Sequence, residues 1–156
     1  MCDTGTEGRL SPWTVADLTP AERALLTGFR RWFRDGTAGG MAAMRAGFSV
    51  AGIPSTALLP LFALLGAFAV TNAARPDIRC PSCARIGLDE MALLDALAAV
   101  QAGETDVATQ VFDRWLPMMA LCMATDSVRE LARILDGARI RLHRRRPARL
   151  IALAAE

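Results

Sequence analysis

The chain has 156 residues, 53% of them hydrophobic, and a formal net charge of +2, with a mean hydropathy of +0.27. That length suits one domain around a single core, and the apolar content excludes disorder over most of the chain. The small net charge excludes a whole-molecule field, so attraction to nucleic acid or anionic lipid would have to come from local clusters.

Residues 1–18 are read as a flexible N-terminal segment, without the charged-then-apolar pattern of a signal peptide. A cytoplasmic location is the default that follows. In that reducing setting the four cysteines read as thiols or metal ligands and not as a disulfide framework. All 18 basic residues are Arg, which we attribute to coding bias.

The helical domain is expected over residues 19–137. Thr19-Pro20-Ala21-Glu22 is a helix start: Thr19 caps, Pro20 suits the first helical position and Glu22 stands where a capping box needs its acid. Leu25, Leu26, Phe29 and Trp32 or Phe33 share one broad face, leaving Arg23, Arg30, Arg31 and Arg34 largely outside it, until Gly36 stops the helix. A weaker segment through Met41, Met44 and Phe48 follows.

No residue from Gly47 to Ala74 is charged, which raises the alternative of a membrane-associated segment over 47–74. Its strongly apolar block, Leu58 to Val70, has only thirteen residues, whereas a span needs roughly 20. A buried central helix is the expectation, with Pro60 in its first turn or at a kink.

Beyond the Cys80-Pro81-Ser82-Cys83 turn, Gly87-Leu88-Asp89-Glu90 opens another helix with two acids facing the positive end of its dipole. Its apolar positions run through Met91, Leu94, Leu97 and Ala98 to a stop at Gly103. A further helix carries Val107, Val111, Phe112 and Trp115 toward Pro117. Met118 to Met123 is too short to stand alone, and Val128, Leu131, Ala132 and Leu135 mark a last amphipathic helix ending near Gly137. No strand pattern exceeds 138–142. The fold class is therefore all-α, an irregular bundle of about five or six helices around a central apolar one.

The chemistry-bearing residues are few. Cys80 and Cys83 on one turn provide half of a metal site or a reversible dithiol. Structural zinc needs four ligands, and Cys122 is the third candidate, with His143, Asp77 and Asp89 as further ones. Met118, Met119 and Met123 around Cys122 suggest a softer ion such as Cu(I), although methionines at helical spacing more often fill cores. His143, the single histidine, lies in an Arg-rich stretch, and no phosphate-binding loop, dinucleotide-binding pattern or HExxH occurs. No catalytic constellation emerges.

Residues 138–156 form an Arg-rich tail. Arg139, Arg141, Arg144, Arg145, Arg146 and Arg149 fall there without an acid between them, an arrangement able to contact phosphate backbones or anionic lipid. The simpler expectation is a solvated terminus.

The order LTPAERALLTGFRRW, an uncharged helix, then CPSCARIGLDEMALLDAL resembles an uncharacterised family of small helical bacterial proteins with a Cys-rich turn before an Asp-Glu helix start. Cys83, Arg85, Asp89 and Glu90 carry the resemblance, which implies a helical fold and no particular reaction. The functional expectation is a non-catalytic protein-interaction or regulatory module whose partner is a protein, with a structural zinc at the CxxC knuckle as its candidate cofactor. The alternatives are a thiol redox protein using Cys80 and Cys83, and a membrane-associated protein.

Overall fold

The computed structural model describes residues 10–70 and 74–145. Among these residues five helices carry the fold: α1 (Pro20–Ala51), α2 (Leu58–Ala69), α3 (Leu88–Gln101), α4 (Thr105–Phe112) and α5 (Met118–Gly137). A two-stranded antiparallel sheet, β1 (Leu10–Thr14) on β2 (Arg85–Gly87), closes one side, with Leu10 opposite Gly87 and Thr14 opposite Arg85. The protein is thus an all-α bundle with a small sheet. Residues 10–18, expected to be flexible, supply a strand and a short 3-10 turn, Val15–Asp17. Residues 138–142 form no strand.

Helix α1 begins as its sequence requires. Thr19 Oγ1 accepts from the Glu22 amide at 3.3 Å, and Glu22 Oε2 accepts from the Thr19 amide at 2.9 Å, so two of the orphan donors at the helix start are satisfied. Continuity ends at Gly36, whose φ of 79° and ψ of −169° lie outside any helix and favour glycine. The chain doubles back there. A Cβ placed on Gly28 would meet Met44, one on Gly40 would meet Trp32 and one on Gly47 would meet Ala24. These pairings place residues 20–35 and 37–51 side by side and antiparallel, so the weak segment around Met44 is the returning arm of a helical hairpin. Gly28 and Gly40 allow the arms to approach closely.

The most enclosed helix is α3, in which every residue from Glu90 to Val100 except Ala92 is buried. The uncharged helix α2, expected at the centre, buries Leu61, Leu64, Leu65 and Phe68 but leaves Leu59, and Val70 just past its end, in solvent. Its lack of charge therefore does not reflect burial on all sides. Pro60 sits in its first turn, where a missing amide hydrogen costs little. The Met118 to Met123 segment and the following amphipathic stretch are one helix, α5, packed along α2. The Phe68 and Trp115 rings, 6.2 Å apart, bring the C-terminal end of α2 beside the N-terminal end of α5. The two helices consequently run antiparallel.

Candidate functional site

The Cys80 to Cys83 turn is closed by a hydrogen bond from the Cys83 amide to the Cys80 carbonyl at 3.1 Å. Among the described residues, no three Cys, His, Asp or Glu side chains are grouped so as to hold a metal ion. Cys80, Cys83 and Cys122 therefore do not assemble into the shared ligand set suggested by their chemistry. Cys83 is a half-buried free thiol and Cys122 an exposed one. Cys80 is not a free thiol.

What organises the turn is a buried ion pair. Arg30 Nε lies 2.7 Å from Glu90 Oε1, and Nη2 lies 2.9 Å from Oε2, a two-pronged contact between planar groups. The same guanidinium donates to the carbonyls of Cys83 at 2.6 Å and Arg85 at 2.8 Å. Glu90 also accepts from the amides of Arg79 and Gly87, both at 2.9 Å. Every charge on the pair is thus met by a partner, which a buried ion pair requires. Arg30, assigned by the helical wheel to the solvent side, is buried. It falls one turn after Leu26 and one residue after Phe29, on the edge of the apolar face, and Glu90 gives its head a partner.

A second buried glutamate works the same way at the other end of the chain. Glu22 Oε1 accepts from the His143 amide at 2.7 Å, lies 3.1 Å from His143 Nδ1, and pairs with Arg145 Nη1 at 2.9 Å. Burial opposes its ionisation. The Arg145 guanidinium and the amides of His143 and Thr19 outweigh that cost and bring the Glu22 carboxyl down from 4.5 to about 2. Arg145 also stands 5.5 Å over the Trp13 ring and donates to the Asp17 carbonyl. Asp95 receives Arg144 Nε at 2.9 Å and the Arg145 amide at 2.8 Å, and Glu104 takes the other side of Arg144.

The stretch expected to be solvated therefore lies, through residue 145, against the bundle. Its acids were absent from the local sequence because they come from α1, α3 and the start of α4. Arg139 is exposed and Arg141 pairs with Asp136 at 3.5 Å, while Arg146 and Arg149 fall outside the described residues.

These polar clusters satisfy themselves. The unsatisfied surface is apolar. Leu59 is 78% exposed and Val70 82%, at opposite ends of the outer face of α2, with Ala63 also exposed between them. Antiparallel packing places the N-terminal turns of α5 at the Val70 end, where Met118, Met119 and Met123 are all exposed. Those methionines are not core fillers, and Cys122 lies among them on the surface. Large apolar side chains exposed along one face mark contact surfaces when they join into a contiguous patch. Among the described residues no helix is long and apolar enough to cross a membrane.

Comparison with family models, with curated proteins and with solved structures found no match for the chain.

Proposed function

We propose that this protein is a non-catalytic interaction module that pairs with a second copy of itself through the outer face of α2 and the methionine turn of α5. The observation that carries the reading is that face: an uncharged helix with Leu59 and Val70 exposed at its ends and the small residues Ala63 and Gly66 between them. A two-fold interface must be self-complementary. Laid antiparallel on its own copy, α2 sets Leu59 of one protomer toward Val70 of the other, while Ala63 and Gly66 let the backbones approach. No like charges meet along the helix. Beside it, α5 presents alternating acids and bases, Asp126 with Arg129 and Glu130 with Arg133, so a two-fold copy can set acid against base.

Sedimentation equilibrium tests this. The wild-type chain is expected to be a dimer at about 50 μM, and Ala63→Arg or Leu59→Glu a monomer with an unchanged helical spectrum. A wild-type monomer at that concentration overturns the proposal. So does a chain that floats with anionic vesicles and loses this property on Leu59→Glu, which would assign the face to lipid.

A further inference from the structure

A separate groove lies on the other flank of α2, between it and the returning arm of α1. Its volume is about 670 Å³, within the roughly 300–1,000 Å³ typical of small-ligand sites. Met41, Phe48, Ile53, Leu58 and Phe62 form its apolar walls, and Arg45 stands among them. Arg45 has no carboxylate or hydrogen-bond partner among the described residues. Arg45 is exposed to solvent, so its charge is open to a ligand, unlike those of the buried Arg30 and Arg145, which are met from within the fold. Ser49, one helical turn beyond Arg45, and Ser55, at the turn leading into α2, add two hydroxyls to the same lining.

We propose that this groove binds a medium-chain apolar acid, its carboxylate held by Arg45 and its hydrocarbon lying along Met41, Leu58 and Phe62. One cation with two hydroxyls suits one anionic head. Walls of methylene, thioether and phenyl groups offer no hydrogen bonds for a polar body, so they suit an alkyl chain. This proposal does not depend on self-association, since Arg45 is not on the dimer face. Leu59 borders both surfaces and is left unaltered in the test for that reason.

The experiment titrates dodecanoate, below its micelle-forming concentration, into the full chain carrying Ala63→Arg, with calorimetry as the readout. Saturable binding of one dodecanoate per chain is expected, and dodecyltrimethylammonium should not bind. Adding Arg45→Gln should weaken dodecanoate about five-fold or more, as loss of a partly solvated charge-assisted contact predicts, while Arg129→Gln should leave it unchanged. Phe62→Asp, checked for an intact helical spectrum, should abolish binding. Equal affinity for both detergent charges, indifference to Arg45→Gln or non-saturating uptake would each overturn the proposal. So would an acidic amphipathic peptide that binds in an Arg45-dependent way where dodecanoate does not.

Discussion

Arg30 and Glu90, 60 residues apart in the chain, meet at 2.7 Å with their side chains 2% and 0% exposed. Together they tie the first arm of α1 to the start of α3 and hold the Cys80 to Arg85 backbone between them. Breaking one half leaves the other charge buried and unmatched. Arg30→Met and Glu90→Gln should each cost about 3–5 kcal/mol in urea unfolding. The double variant should be less damaging than the sum. Strict additivity in a double-mutant cycle would show that the two do not act as a unit.

The Glu22 clasp has a defined pH signature. Because the folded carboxyl sits near 2 and its ordinary value is 4.5, its ionisation stabilises the fold above 4.5. That contribution is lost as pH falls from 4.5 through about 2, and the full amount is roughly 3 kcal/mol. Glu22→Gln should therefore flatten the acid limb of the stability profile while lowering stability at neutral pH. An acid limb unchanged in the variant would place the titration elsewhere.

Thiol accessibility separates the cysteines. Cys122 should react first with a maleimide under native conditions and the half-buried Cys83 more slowly, as read by peptide mass. Cys122→Ser should change stability by no more than about 0.5 kcal/mol, as expected of an exposed side chain. A large loss would show that its sulfur does more than face solvent.

Helix starts were the most legible part of the chain. Thr19-Pro20-Ala21-Glu22 and Gly87 to Glu90 announce themselves because capping is local chemistry, and both form as expected. The second task of each glutamate was hidden. Nothing near Glu22 in the sequence names His143 or Arg145, and nothing near Glu90 names Arg30, since such partners are set by packing across the whole chain. The same limit explains the Arg-rich stretch, where local composition lacks acids that the fold supplies from elsewhere. The cysteines misled in the opposite direction. A CxxC is conspicuous in sequence, yet spacing alone does not bring a third ligand to it. An apolar helix also looks alike whether enclosed or half exposed, so the outer face of α2 was not readable from composition.

The hairpin in α1 depends on two glycines in different ways. Gly36→Ala forces a side chain onto a backbone with φ of 79° and should cost about 1–3 kcal/mol. Gly40→Ala places a Cβ 2.8 Å from the Trp32 backbone and should cost a similar amount by prying the arms apart. Thermal unfolding of both checks this, and an unchanged midpoint in either would mean that the turn has more slack than its geometry indicates.

The Glu22 clasp also bears on how the chain is made. On the ribosome Glu22 emerges long before its partner, the His143 amide, which lies 121 residues downstream. Until then its charge stands open to water at the head of a growing helix, where the capping contact with Thr19 already gives it a place. A nascent chain released before residue 143 would carry an ordered helix start with an unanswered charge.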